Sequence, residues 1–285
     1  MSTYWCCLYT RDGAETLKET LLSITNQSIQ PSFIVVIDDN SVDETPEIFQ
    51  GVCKTFNAMY IVKTNSKTRD LRRAPWLLNL GLDFAKKLPR TKYMMISGDD
   101  CVYPNDYALK LIEQMNSDDK LAVASGDWGL SSTLTSEKMP TGAGRFVRTI
   151  YMESIGGYYP VAYGWEAWLL LKALERGWTI RNFEHIRYTH SRPYRPGNVY
   201  GWGRGMYSLG YPHYFVLIRF LRNLITSRKT GSMTRKISVA MLSGYVSSLL
   251  TQNKYLMLQD AALKKFVNRL CASRTVHFLI KNTSD

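Results

Sequence analysis

Two pairs of carboxylates stand where buried strands should end. Asp38 and Asp39 follow the apolar run 33–37, and Asp99 and Asp100 follow the run 93–96. Carboxylates are costly to bury without partners, so acids at two strand ends point to a ligand or cation that meets them. At the carboxyl edge of an α/β sheet, that site suits phosphate and a hard divalent ion. Asp38 and Asp39 can accept hydrogen bonds from a ribose or a base. The competing reading is a helix-capping turn, since Asn40, Ser41 and Asp43 all suit turns and caps. Asp99 and Asp100 lie in Ser97-Gly98-Asp99-Asp100, where glycine permits close approach and magnesium or manganese would take oxygen ligands. A surface turn is the alternative there.

Further candidates come from the second half. Glu166 opens an otherwise apolar helical run beside Tyr163, Trp165, Trp168 and Leu169. It suits either a helix-dipole partner or a general base, and the aromatics suit either a stacking floor for a sugar ring or core. His185 and His190, just past the last expected strand, can ligate a metal, contact phosphate or simply pack. Arg73, Arg145 and Arg148 are candidates for phosphate contacts, because guanidinium meets such oxygens bidentately.

These residues need a scaffold that brings them together. The pattern predicts strands at 4–9, 33–37, 59–62, 93–96, 121–125 and 179–183. It predicts helices at 14–25, 45–56, 77–87, 104–115 and 165–176. Short apolar strands alternating with helices of this length imply βαβ units and a mostly parallel sheet flanked by helices, an α/β fold. A Gly- and Thr-rich loop is expected over 130–144, and a loop rich in Pro, Gly, Arg and Tyr after Tyr188. Amphipathic helices are expected at 211–226 and 237–250, the latter too short for an ordinary bilayer span.

The chain has 285 residues and a net charge of +12, unevenly placed. Residues 1–184 hold 20 Lys and Arg against 22 Asp and Glu, whereas 185–259 hold 11 basic residues and no acid. The C-terminal third should therefore meet an anionic surface or ligand. The five cysteines fit no zinc or disulfide spacing and read as reduced thiols of a cytoplasmic protein. The N-terminus has no signal-like pattern, so secretion is not expected.

Together the motifs resemble the inverting glycosyltransferases of family 2, which have the GT-A (nucleotide-diphospho-sugar transferase) fold. Leu8-Tyr9-Thr10 through Leu21-Leu22-Ser23-Ile24 and Gln27 resemble that family's opening strand and helix. Val36 through Thr45 resembles its nucleotide-binding signature, and Asn79-Leu80-Gly81 with Ala85 the next helix. Tyr93 through Pro104 resembles the strand with the metal-binding acidic motif. Gly156-Gly157 and the helix around Glu166, followed by Gly177, resemble the acceptor half. The likeness spans about residues 4–190. It departs at Ser97, where the family usually has an aspartate, and at Trp165-Glu166, which stand where it usually has Glu-Asp.

The resemblance implies roles. Asp39, helped by Asp38, would bind the base or ribose of a UDP- or GDP-linked sugar, with Arg73 near the base or diphosphate. Asp99 would hold Mg2+ or Mn2+, and Asp100 would support that geometry or touch the donor sugar. Glu166 would take the acceptor hydroxyl proton in a single inverting displacement. Residues 1–190 would form the catalytic domain, with a sugar-nucleotide half (1–125) and an acceptor half (126–190). Residues 191–285 would form a basic helical extension, similar to those on members that use lipid-linked acceptors at a membrane. A glycan or polyprenyl-linked acceptor and the cytoplasmic face of an anionic membrane are the expected partners. A homodimer is the competing use of the extension, and nucleic acid is not expected. The alternative to an enzyme is a noncatalytic carbohydrate-binding or scaffold protein that kept the fold.

Overall fold

The computed structural model describes residues 3–62, 73–129, 139–192, 196–230, 232–251 and 259–283. Residues 130–138 of the expected loop, and Tyr194 and Arg195 of the later one, lie outside these. The chain forms two compact units. One comprises Met1–Tyr159 with Arg176–Pro193, and the other Pro160–Glu175 with Tyr194–Asp285. The helix carrying Glu166 therefore groups with the C-terminal helices, where the sequence reading places it with residues 126–190.

The first unit is built on a seven-stranded sheet of order β3-β2-β1-β4-β7-β6-β8. Its strands are β1 (Tyr4–Thr10), β2 (Ile34–Asp38), β3 (Ala58–Val62), β4 (Tyr93–Ser97), β6 (Leu121–Asp127), β7 (Arg145–Arg148) and β8 (Thr179–Arg187). The pairs β1–β2, β1–β4, β2–β3 and β6–β8 are parallel, as the βαβ pattern requires. Strand β7 runs antiparallel to both β4 and β6, so the sheet is mixed. The sequence reading missed β7, whose four residues open and close on arginine. It also missed the short helix α5 (Thr149–Ser154) that follows. Strands β2 and β4 are buried along their whole length, which is why they read as unbroken apolar runs.

Both faces of the sheet are covered. Leu17, Leu21 and Ile24 of α1 (Leu17–Thr25) share one core with Tyr4, Cys6 and Leu8 of β1 and Leu111 of α4 (Tyr107–Ser117). Helix α2 (Thr45–Cys53) contributes Phe49 to it. Strand alternation turns Cys7 and Ile37 the other way, against α3 (Arg73–Ala85). Gly81 sits there because a Cβ would lie 2.6 Å from the Cys7 Sγ.

Two loops at the carboxyl edge are zipped together. Ser41 Oγ accepts from the Asp12 N–H at 2.8 Å, and Asp12 Oδ1 accepts from the Val42 N–H at 3.0 Å. The Gly13 N–H donates to Thr45 Oγ1 at 2.9 Å, and the Ala14 N–H to Asp43 Oδ2 at 3.0 Å. Asn40 takes φ 63°, the left-handed region its side chain tolerates. Partial burial opposes ionisation of Asp43, but bonds from the Thr45 hydroxyl and from the backbone N–H groups of Ala14 and Thr45 outweigh it. They hold the carboxyl below its ordinary value.

The second unit is helical: α6 (Trp165–Glu175), α7 (Pro196–Ser208), α8 (His213–Thr230), α9 (Ser232–Thr251) and α10 (Ala261–Thr283). Helix α7 corrects the expected Pro- and Gly-rich loop. Glycine disfavours a helix interior by about 1 kcal/mol relative to alanine, so Gly201, Gly203 and Gly205 hide it in sequence. Here Gly203 serves packing, as does Gly244 of α9. A Cβ on Gly203 would lie 1.9 Å from the Met241 carbonyl oxygen, and one on Gly244 2.0 Å from that of Tyr200. Val199, Met206, Met241 and Tyr245 fill the core between α7 and α9.

Gly244→Ala should therefore lower the unfolding free energy by about 1–3 kcal/mol, the usual cost of overpacking. Denaturant melts against the wild-type chain measure it, and an unchanged midpoint would refute the tight α7–α9 contact. Asp43→Asn should lower the melting temperature by about 2 °C at neutral pH, the loss expected for about one hydrogen bond. A carboxyl held low stabilises the fold above about pH 3.9 and loses that contribution as pH falls through its lowered value. The gap between variant and wild type should close on acidification, and a gap that widens would reverse the assignment.

Candidate active site

Thr10, the last residue of β1, joins the two acidic clusters. It pairs with Asp38 across β1–β2, and its carbonyl accepts the Asp39 N–H at 2.9 Å. Its hydroxyl donates to Asp99 Oδ2 at 2.7 Å. Gly13 leaves room for this contact, because a Cβ there would meet the Thr10 hydroxyl at 2.3 Å and Asp99 Oδ2 at 2.7 Å. The structure thus brings Asp38, Asp39 and Asp99 to one edge of the sheet.

The four edge acids have different surroundings. Asp38 is 1% exposed and fully engaged. One oxygen accepts from the Ser41 hydroxyl at 2.6 Å and the Ser41 N–H at 3.0 Å, the other from the Tyr60 hydroxyl at 2.7 Å. These bonds make Asp38 the anchor of the loop, in place of the expected contact with base or ribose. Asp39 receives the Arg73 Nε at 3.0 and 2.9 Å on its two oxygens, with a further bond from Arg73 Nη2. Arg73, held over Trp76 at 5.3 Å, is thereby paired to the carboxylate. Arg11 Nη1 lies 3.6 Å from the same carboxylate and is buried without a hydrogen-bond partner. A buried donor left open beside Asp39 suits a ligand oxygen.

Asp99 is held by Thr10 on one oxygen and by Arg192 Nη1 at 3.0 Å on the other. Arg192 Nη2 also donates to Thr16 Oγ1 at 3.1 Å. Burial pushes the Asp99 carboxyl above its ordinary value, against the opposite pull of Arg192 and Thr10. Asp100 is different. The short ladder of β5 (Cys101–Val102) with β9 (Thr189–His190) pairs Cys101 with His190. That register sets His190 Nε2 3.6 Å from Asp100 Oδ1. His190 Nδ1 lies 2.9 Å from the Arg192 carbonyl oxygen, which can only accept, so Nδ1 carries the proton. Nε2 is then the ring nitrogen that faces the carboxylate, and a histidine anchored to a carbonyl through its other nitrogen is the usual support of a metal ligand.

The Cys101 thiol completes a group whose ligand atoms lie within 4.8 Å of one another. Burial pushes that thiol far up, and of the three donors the carboxylate oxygen is the one that suits a hard ion. Trp128 stacks on the His190 ring at 4.6 Å.

The remaining expected residues fall elsewhere. Arg148 pairs with Tyr93, at the opposite end of β4 from Asp99. Its guanidinium donates to the carbonyls of Leu121, Met115 and Asp118, capping the end of α4. Arg145 is buried and donates to the carbonyls of Thr141 and Pro140. Both arginines are spent on backbone oxygens, which corrects their assignment to phosphate. His185 is exposed on β8, edge-on to Phe183.

In the second unit, Tyr163, Trp165 and Trp168 are buried, which settles them as packing residues. Glu166 lies in the first turn of α6, half-buried. Lys172 pairs with Glu175 at 3.0 Å and with Asp260 at 2.8 Å. Among the described residues of this unit, Glu166 is the acid whose side chain has no hydrogen-bond or ion-pair partner. The sequence reading missed Arg11, Tyr60 and the role of Arg192. The motif around Asp38 signals none of them, because their partners are distant in sequence.

The model of the family described as glycosyl transferase family 2 matches residues 6–178. Among curated proteins, none matches the chain by sequence. Solved structures share its fold at low identity. The mannosyltransferase PcManGT from Pyrobaculum calidifontis, in complex with GDP-Man and Mn2+, superposes with a TM-score of 0.60 at 14% identity, covering 95% of this chain and 86% of its own. S. aureus TarS 1-349 in complex with UDP-GlcNAc gives 0.56 at 15% identity, covering 89% and 81%. Glucosyl-3-phosphoglycerate synthase from Mycobacterium tuberculosis, with Mn2+, UDP and phosphoglyceric acid, gives 0.53 at 12% identity, covering 70% and 73%. The match spans well over half of the chain, which belongs to glycosyl transferase family 2 and is an enzyme of that family rather than a bare scaffold.

Proposed function

We propose that the chain transfers a sugar from a UDP- or GDP-linked donor to a hydroxyl acceptor, with inversion at the anomeric carbon and a requirement for Mg2+ or Mn2+. The observation that carries this reading is the facing pair Asp100 and His190, beside Asp99 and one sheet edge from Asp39. Asp39, Arg73 and Arg11 would hold the nucleoside end of the donor. Asp100 and His190 would hold the ion, and Asp99, kept in place by Thr10 and Arg192, would support it. The bound ion would neutralise charge on the nucleoside diphosphate leaving group. Arg192 adds a fixed positive charge at the same edge. Glu166, its acceptor capacity unspent, would take the proton of the attacking hydroxyl.

The acceptor we favour is a glycan carried on a polyprenyl phosphate or diphosphate, met at the cytoplasmic face of an anionic membrane. Residues 185–259 are free of acids. Leu217, Leu221 and Ile225 recur on one side of α8 and are 52, 48 and 69% exposed. Exposed Arg222, Arg235 and Lys236 accompany them. An apolar stripe flanked by cations suits the headgroup boundary of anionic lipid. No described helix is long and apolar enough to cross a membrane. A dimer through the same stripe is the rival occupant.

Release of nucleoside diphosphate from UDP- and GDP-sugars, with and without chelator, tests the chemistry. Glu166→Gln should lower turnover by about 10²–10⁴-fold, the range for removing a general base, with little change in donor binding. Full turnover by that variant would remove Glu166 from the mechanism. Leu221→Glu should weaken co-sedimentation with phosphatidylglycerol vesicles by about tenfold, and salt should weaken the wild type. Undiminished sedimentation, or a switch from dimer to monomer instead, would refute the membrane assignment.

A further inference from the structure

The helical unit carries an open cleft of about 530 Å³ that the proposed transfer does not use. It lies where the end of α7 and the turn into α8 meet α9 and α10. Tyr207, Tyr211, Tyr214 and Tyr245 line it together with His213 and Asn268. Gly210 makes the turn at φ +74°. The volume falls in the range of small-ligand sites, about 300–1,000 Å³.

The lining chemistry is specific. It contains no carboxylate and several aromatic rings. The Tyr245 hydroxyl donates to the Tyr211 carbonyl at 2.8 Å, and it also lies 2.8 Å from His213 Nδ1. One phenol proton cannot serve both, so the network assigns the proton between them to His213 Nδ1. Burial raises the Tyr245 phenol to about 12 and keeps it neutral. His213 thus donates through Nδ1, and Nε2 is its second hydrogen-bonding nitrogen. Asn268 Nδ2 donates to the Lys264 carbonyl at 2.8 Å, which leaves Oδ1 as an acceptor. Tyr214 is 46% exposed, and its ring supplies an apolar face with a polar tip. Flat apolar faces ringed by hydrogen-bonding groups match a pyranose, which has one C–H face and hydroxyls around its rim. We infer that this cleft binds a neutral sugar ring, as a subsite for a glycan. The choice of a sugar over another polar ring rests on the sugar-transfer reading.

The full chain can be titrated with mannose, maltotriose and N,N′-diacetylchitobiose by saturation-transfer NMR and calorimetry. At least one should bind saturably, with contact at its ring protons. Tyr214→Ala should weaken that binding by about fivefold or more, whereas Tyr214→Phe, which keeps the ring, should weaken it by less than about twofold. Asp39→Asn should leave it unchanged. Absence of saturable binding by all three sugars would overturn the inference. So would equal binding by the wild type and Tyr214→Ala, or loss in Asp39→Asn. Saturation by UMP or GMP at the Tyr214 cleft, with no sugar bound there, would overturn it too. Turnover of sugar nucleotides is a separate readout, so failure of the transfer reading would not be mistaken for failure of the cleft.

Discussion

The cost of placing negative charge inside a sheet edge organises this protein. Asp38, Asp39 and Asp99 are all buried at the carboxyl ends of parallel strands. None could remain there without partners, since removing one partner of a buried charge costs several kcal/mol. The chain supplies a different partner set to each. Asp38 is satisfied by the loop it anchors, Asp39 by the guanidinium of Arg73, and Asp99 by a hydroxyl and the guanidinium of Arg192. Thr10 links the clusters because β1 lies between β2 and β4 in the sheet.

Strand register then brings His190 and Arg192 to this edge. The β5–β9 ladder is only two residues long on each side, yet it fixes His190 against Asp100. The same return of the chain delivers Arg192 to Asp99, across 93 residues of sequence. A minimal pairing can do this because its neighbours are rigid: β4 is buried throughout, and Thr20 of α1 accepts the Cys101 N–H at 3.1 Å.

The part of this that was legible in sequence follows the same physics. Strands buried on both faces leave apolar runs, so β1, β2 and β4 were visible, as were the acids at or just past the ends of β2 and β4 and the α/β class. Helix α7 was hidden because its glycines answer to a neighbouring backbone rather than to helix propensity. Strand β7 was hidden because its two arginines, which read as phosphate contacts, are buried against carbonyls. For the site, the acids were legible and their partners were not. A motif such as Val36 through Thr45 records local loop chemistry, whereas Arg192–Asp99 and Tyr60–Asp38 are contacts of the fold.

Partner counting also separates acids that the fold engages from those it leaves open. An ionised carboxylate has about four lone-pair sites and no proton to donate, so each site is either used within the fold or left for something else. Asp38 and Asp43 use theirs on the loop, and Glu175 and Asp260 use theirs on Lys172. Among the described residues, the Asp100 side chain meets a long contact from the Cys101 thiol and the His190 Nε2 at 3.6 Å. Glu166 has no side-chain partner among the described residues, although its unit is rich in cations.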